Sequence, residues 1–326
     1  MTMNNNNSLI KVNNLKKLFP VRKGLFGKIS GYVRAVDDVS FEIESGKTLG
    51  LVGESGCGKT TTGKTVMRLL EPTEGKIIFD GRDVTTLKGE ELREIRQEMQ
   101  IVFQDPYSSL NPRITVGGMI KEILLFHKLA VKSELDDKVE SILDSVGLSS
   151  DYSARYPHEF SGGQRQRIGI ARALSVDPSF IVLDEPVSAL DVSIQAQILN
   201  LLMDIQQKRA LTYLFIAHDV SVVEHIADDI AVMYLGRIVE VGKKEQIINN
   251  PQHPYTKALL EAVPMPDPDL KKEAELLTGD VPSPINPPSG CHFHTRCPLA
   301  KEQCSSWRYK FTEIEKRHQV ACVQYE

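Results

Sequence analysis

No stretch of this chain approaches the roughly 18 to 20 uncharged apolar residues that a bilayer-crossing helix needs. The start, Met-Thr-Met-Asn-Asn-Asn-Asn, has no apolar secretory segment. The expected location is therefore cytoplasmic. Basic charge is also in short supply: 39 Lys and Arg stand against 43 Asp and Glu, a formal charge of −4, with a sequence pI near 6.1. That balance leaves no footprint for a phosphate backbone, so nucleic acid is not an expected partner. Cysteine is nearly absent before residue 291, where Cys57 stands by itself. What remains is ordinary: 326 residues, 41% hydrophobic and 25% charged, enough for a full core and an appendage.

The most informative feature is Gly53-Glu54-Ser55-Gly56-Cys57-Gly58-Lys59-Thr60, of the form G-x-x-x-x-G-K-[ST]. It follows the apolar run Thr48-Leu49-Gly50-Leu51-Val52 and precedes a helix-compatible stretch, the strand, loop and helix context that a phosphate-binding loop requires. Glycines let backbone amides curl around phosphate oxygens, and the helix that follows points its positive end at the same anion. Gly53 through Thr61 are thus expected to hold a nucleoside triphosphate. Cys57 lies near a helix amino end, an environment that lowers a thiol pKa and raises reactivity; the plainer reading is that it fills a small position in the loop.

Further along, His158-Glu159-Phe160-Ser161-Gly162-Gly163-Gln164-Arg165-Gln166-Arg167 precedes a buried-strand run, Phe180-Ile181-Val182-Leu183, that ends in Asp184-Glu185. Paired acids at the carboxyl end of a parallel strand suit metal and water chemistry. Ser188-Ala189-Leu190-Asp191 follows. A second apolar run from Thr212 to Ala217 delivers His218, and Met99 to Phe103 delivers Gln104.

In this order the elements resemble the ATP-binding cassette of an ABC transporter, from about residue 9 to about residue 245. The resemblance implies an α/β fold, a P-loop NTPase cassette with a RecA-like core, an antiparallel β subdomain and an inserted helical subdomain. It also assigns roles. Lys59 reaches the β and γ phosphates, Thr60 and Asp184 hold Mg2+, Gln104 senses metal and water, Glu185 is the general base and His218 steadies the γ phosphate. Ser161, Gly163 and Gln164 belong to the signature segment, which closes over the ATP of a second cassette. The segment opens with Phe160, where Leu is commoner in the family.

A narrower resemblance rests on Phe103-Gln104-Asp105-Pro106-Tyr107-Ser108-Ser109-Leu110-Asn111-Pro112-Arg113, on His253-Pro254-Tyr255-Thr256-Lys257-Ala258-Leu259-Leu260, and on a cysteine-bearing tail. Together these resemble the F-type ATP-binding subunit of oligopeptide or dipeptide importers. That implies a peripheral position at the cytoplasmic face of the membrane, a second ATP-binding subunit in a heterodimer, two transmembrane permease subunits and an extracellular solute-binding protein. Nickel or another small solute is the alternative cargo, and a soluble cassette ATPase acting on nucleic acid is the more distant alternative.

Residues 1–8 are polar and expected to be disordered. Leu9–Val12 and Ala35–Ile43 alternate as half-buried strands around a Gly-rich basic loop, Arg22–Gly31. In the family this layer receives the adenine, with Phe19 the first choice for the stacking ring and Tyr32 its rival; the plain alternative for Phe19 is core packing. Thr115–Lys128 and Glu134–Val146 carry helical periodicity, which predicts a helical insertion at about 105–160 within a domain spanning 9–262. Ile194, Ile198, Leu201, Leu202 and Ile205 form one apolar helix stripe. Residues 263–326 read as a Pro-rich tether and a small C-terminal extension.

Cys291, Cys297, Cys304 and Cys322 all fall in the last 36 residues. Such a short segment has few large apolar residues, and a cytosolic location disfavours disulfides, so metal ligation is the expected cross-link. Four thiolates fit zinc or a [4Fe-4S] cluster. The intervals of five, six and seventeen residues lack the close Cys-x-x-Cys pairs usual for zinc. Resemblance to importer ATPases with cluster-bearing tails points to the [4Fe-4S] cluster, with Zn2+ as the alternative. His292, His294 and His318 are read as surface residues or neighbours of the ligands.

Overall fold

A computed structural model of the chain describes residues 8–24, 27–105, 109–262 and 279–326. The expected disordered start, residues 106–108 and the tether as far as residue 278 lie outside the described residues. In chain order the strands are β1 (Ser8–Lys23), β2 (Lys28–Glu44), β3 (Thr48–Val52), β4 (Glu74–Phe79), β5 (Arg82–Asp83) and β6 (Met99–Val102). They continue with β7 (Phe180–Asp184), β8 (Thr212–Ala217), β9 (Asp229–Tyr234), β10 (Arg237–Lys243), β11 (Thr312–Glu315) and β12 (His318–Val320). The described chain divides into two units, one comprising Glu44–Lys47 and Thr86–Phe215, the other Ser8–Ile43, Thr48–Thr85 and Ile216–Glu326.

In the second unit β3 is buried at every position and runs parallel to β9, with Leu49 opposite Asp229 and Val52 opposite Val232. A strand covered on both faces has no use for polar alternation, which is why this run reads as continuously apolar. A separate four-stranded sheet has the order β2-β1-β4-β5, with β1 antiparallel to β4. Its first two strands are far longer than predicted, at 16 and 17 residues, and Ser8 already belongs to β1. They reach into the expected Arg22–Gly31 loop because backbone pairing, rather than alternation toward a core, carries their outer halves.

The C-terminal residues are part of this unit and not a separate appendage. β12 pairs antiparallel with β10, Glu240 opposite Val320 and Val241 opposite Gln319, and β11 pairs with β12. The Tyr309 hydroxyl donates to the Ile238 carbonyl at 2.7 Å. Cys304, Trp307, Ala321 and Val323 form a small core, with Cys291, Tyr309 and Phe311 packed against it. The sequence understates this packing because β10, with which β12 pairs and to which Tyr309 bonds, lies far away in the chain.

In the first unit β6 and β7 are parallel, with Met99 opposite Phe180. The two segments with helical periodicity form helices. Helix Val116–Phe126 buries Val116, Ile120 and Leu124, and helix Leu135–Ser145 buries Leu135, Val139, Ile142 and Leu143. Thr115 starts the first of them, its hydroxyl accepting the Gly118 N–H at 3.1 Å. Among the described residues no helix is long and apolar enough to cross a membrane.

Candidate functional site

The phosphate loop joins β3 to the helix Lys59–Val66. Gly53 and Gly58 have φ of 153° and 112°, and a Cβ at either would lie 2.1 Å from a carbonyl oxygen, that of Met233 or of Ala35. Only glycine fits both the angle and the space. Ser55 and Gly56 are exposed, whereas Lys59 is 4% exposed. The Lys59 ammonium donates to the carbonyls of Gly53 at 2.7 Å and Glu54 at 3.0 Å, so the loop is wound around its own cation. Thr60 and Thr61 begin the helix and are half-buried.

Cys57 departs from the expectation of a reactive thiol. It is 4% exposed, and burial pushes its pKa up, outweighing the Lys59 ammonium 3.8 Å from its sulfur. The helix end is offset by desolvation, and the plainer reading, a small group filling the loop, fits the position.

Glu54 is held by residues that the sequence did not single out for the site. Its backbone N–H donates to the Tyr255 hydroxyl at 2.8 Å, and its carboxylate accepts from Arg296 at 2.9 and 3.2 Å. Tyr255 is fully buried among Tyr234 and Phe293, with ring centroids 4.7 and 5.4 Å away. Position 255 lies in the His-Pro-Tyr segment that carried the narrower resemblance, but Arg296 offers no sequence signal of its own.

In the other unit, β7 delivers Asp184, 2% exposed, and the chain then turns at Glu185, whose φ of 47° is a left-handed conformation uncommon for a side-chain-bearing residue. The Gln104 side-chain amide donates to the Glu185 carboxylate at 2.8 Å. These two residues, 81 apart in sequence, are thereby brought together. Ser188 closes the turn, its hydroxyl donating to the Glu185 carbonyl at 3.2 Å. Gln195 donates to the carbonyls of Val187 and Leu190, both at 3.0 Å, which fixes the Ser188–Asp191 segment against the helix Val192–Arg209.

Ser161 caps the helix Gly162–Leu174. Its hydroxyl accepts the Gln164 N–H at 3.4 Å while the Gln164 side chain accepts the Ser161 N–H at 3.0 Å, a reciprocal capping box. Ser161 remains exposed and Gly163 and Gln164 half-buried. Phe160, the unusual first residue of this segment, is 4% exposed and packs edge-on to Tyr152, so an aromatic ring fills the apolar position.

His218 follows β8 and is exposed. Asp219 next to it caps the helix Val220–Ile226 by accepting the Ser221 N–H at 2.8 Å. Phe19 is half-buried on β1 with the Lys17 ammonium 5.0 Å from its ring centre, while the rival Tyr32 is exposed. Phe19 is therefore not a fully buried core aromatic.

The metal-bound tail is not shown: among the described residues no group of three or more His, Cys, Asp or Glu side chains lies close enough to hold a metal ion. Nor are all of the tail histidines at the surface. His318 is fully buried and its Nε2 donates to Glu240 at 2.8 Å, and His292 is buried with its Nδ1 donating to the Leu235 carbonyl at 3.0 Å. Burial lowers the His292 pKa to about 4.

Residues 36–188 match the ABC transporter family, and residues 239–304 match the oligopeptide/dipeptide transporter C-terminal region. The oligopeptide transport ATP-binding protein AppF of Bacillus subtilis (strain 168) is 52% identical over 328 residues, covering all of both chains. The dipeptide transport ATP-binding protein DppF of Haemophilus influenzae is 53% identical and covers 98% of each chain. Among solved structures, the dimeric post-hydrolysis state of the ATP-binding cassette MJ0796, bound to ADP and phosphate, is similar with a TM-score of 0.64 and 27% identity. That match covers 72% of this chain and 98% of the other. The chain therefore belongs to the ABC transporter ATP-binding proteins, in the group that carries the oligopeptide/dipeptide transporter C-terminal region.

Proposed function

We propose that this protein is the ATP-hydrolysing subunit that powers import of oligopeptides or dipeptides across the cytoplasmic membrane. The observation that carries the reading is the carboxyl end of β7, where Asp184 is buried and the Gln104 amide holds the Glu185 carboxylate. The full-length identity to an oligopeptide transport ATP-binding protein narrows the cargo. Without a membrane-crossing helix among its described residues, the chain works through two separate permease subunits, peripheral to the cytoplasmic face. An extracellular solute-binding protein delivers the peptide.

Hydrolysis is phosphoryl transfer to water, in which positioning and charge stabilisation do most of the work. Lys59 reaches the β and γ phosphates once its ammonium leaves the loop carbonyls, and amides of the Gly53–Thr61 loop, apart from that of Glu54 held by Tyr255, cradle the phosphate oxygens. Phe19 stacks on the adenine. Glu185 orients and deprotonates the attacking water, Gln104 fixes the Glu185 carboxylate, and His218 steadies the γ phosphate. The Thr60 hydroxyl and the Asp184 carboxylate are hard oxygen donors of the kind Mg2+ prefers and would hold that ion, which when bound neutralises phosphate charge. Ser161, Gly163 and Gln164 face the nucleotide of a second ATP-binding subunit in a heterodimer; that the MJ0796 cassette is dimeric supports such pairing.

The four tail thiols supply donors that suit either a [4Fe-4S] cluster or Zn2+. Burial raises the pKa of Cys291 to about 11 and also lifts Cys297 and Cys322, and Cys297, Cys304 and Cys322 each add to the rise at one or more of the other thiols. The resemblance of the tail to importer ATPases with cluster-bearing tails favours assigning Cys291, Cys297, Cys304 and Cys322 to a [4Fe-4S] cluster of structural role, with Zn2+ as the alternative. Anaerobic purification is expected to give a brown protein with iron and acid-labile sulfide; a colourless protein with stoichiometric zinc overturns the assignment.

The transport reading predicts co-purification with two permeases and ATP-dependent uptake of labelled di- or oligopeptides into vesicles containing the complex and its binding protein. Uptake of nickel or another small solute with no uptake of peptide would overturn it.

A further inference from the structure

We infer that Arg296, in the C-terminal region, is a positioning residue for ATP binding, acting through Glu54 of the phosphate loop. The inference rests on the reading that Gly53–Thr61 binds ATP and adds a device to it. Glu54 places a carboxylate inside a loop that must accept a polyanion. Left uncompensated, that charge opposes the triphosphate. The Arg296 guanidinium meets it with two parallel bonds, Nη1 to Oε2 at 2.9 Å and Nη2 to Oε1 at 3.2 Å, while Nη1 also lies 3.4 Å from the Tyr234 hydroxyl. The Arg296 side chain is only 6% exposed and its Nε has no hydrogen-bond partner, so Glu54 and Tyr234 account for the bonds that hold it. Such a bidentate pair fixes orientation as well as charge.

The backbone of the same residue is held independently, since the Glu54 N–H is taken by the Tyr255 hydroxyl at 2.8 Å. The Glu54 carbonyl meanwhile accepts from Lys59 at 3.0 Å. The clamp therefore acts one bond away from the lysine that reaches the phosphates. Arg296 itself stands in a short turn that begins at Cys291, with the His294 N–H on the Cys291 carbonyl at 3.1 Å and the Arg296 N–H on the Phe293 carbonyl at 2.9 Å. Cys297 follows directly. Loosening this turn would move the guanidinium off Glu54, so the order of the cysteine-bearing segment is read at the loop as ATP affinity.

The test compares ATP dissociation constants and kcat in the assembled transporter for the natural chain, Arg296→Gln, Glu54→Gln, the double variant and Lys59→Ala. Arg296→Gln is expected to weaken ATP binding by roughly tenfold to a hundredfold, the range for loss of a charge-assisted bond, with kcat at saturating ATP nearly kept. The double variant is expected to recover the larger part of that loss, because an uncharged side chain at 54 needs no counter-charge. Affinity in Arg296→Gln within twofold of the natural chain, or a double variant no better than Arg296→Gln, overturns the inference. Full ATP binding by Lys59→Ala would instead overturn the reading of the loop itself. Should Arg296→Gln prove unstable, Arg296→Lys keeps the charge and is expected to keep most of the affinity; a full loss there overturns the charge argument.

Discussion

Replacing Glu185 with Gln yields a protein that still binds ATP and hydrolyses it roughly 10²- to 10⁴-fold more slowly, the usual contribution of a positioned general base. The substitution keeps shape and hydrogen-bonding length while removing the atom pair that can take a proton. Two features make the position selective. The residue sits directly after buried Asp184 with φ of 47°, so the backbone turns abruptly where β7 ends. The Gln104 amide, donating at 2.8 Å, then sets the carboxylate orientation. Single-turnover hydrolysis with preloaded nucleotide checks the outcome: trapped ATP and an unchanged dissociation constant are expected. Normal turnover would remove Glu185 from the role of base and leave its strained backbone without a catalytic reason.

The second large effect is structural. Glu240→Ala is expected to destabilise the docking of the C-terminal residues by roughly 3–5 kcal/mol, because a buried polar network loses its common acceptor. Glu240 is fully buried, and its carboxylate accepts the Gln252 N–H, the His253 N–H and the His318 ring, each at 2.8 Å. One side chain thus ties β10 to the start of the helix Pro254–Glu261 and to β12. Hydrogen exchange at Gln319 to Ala321 should accelerate well before the rest of the unit opens. Protection unchanged at those amides would show that strand pairing and the small Trp307 core suffice without the carboxylate.

The portions that could be read from sequence share a physical trait: each is specified by neighbours a few residues apart. The glycine loop is fixed by local φ values, β3 and β7 by unbroken apolar runs, and the helical insertion by its periodicity, which placed Val116–Phe126 and Leu135–Ser145 within a few residues. The stripe on the helix Val192–Arg209 buries Ile198, Leu202 and Ile205, with Ile194 and Leu201 only half-buried at its margin. What escaped depends on partners remote in sequence. Arg296 meets Glu54 across 242 residues, and His318 meets Glu240 across 78. No period or motif encodes such a meeting. For Cys57 the sequence left two readings open: a helix end and a lysine can be inferred from it, whereas the burial that outweighs them and favours the plainer one cannot.

The pairing of β12 with β10, and of β11 with β12, also decides what happens to a shortened chain. β11 carries exposed Glu313 and Glu315, and charges of this kind discourage further strand addition. A cassette cut near residue 263 would lose both outer strands and leave β10, with Ile238, Val239 and Val241, as a bare apolar rim of unpaired amides and carbonyls. Self-association through that rim is the natural fate of such a fragment, so the last residues act as the sheet's built-in guard against aggregation.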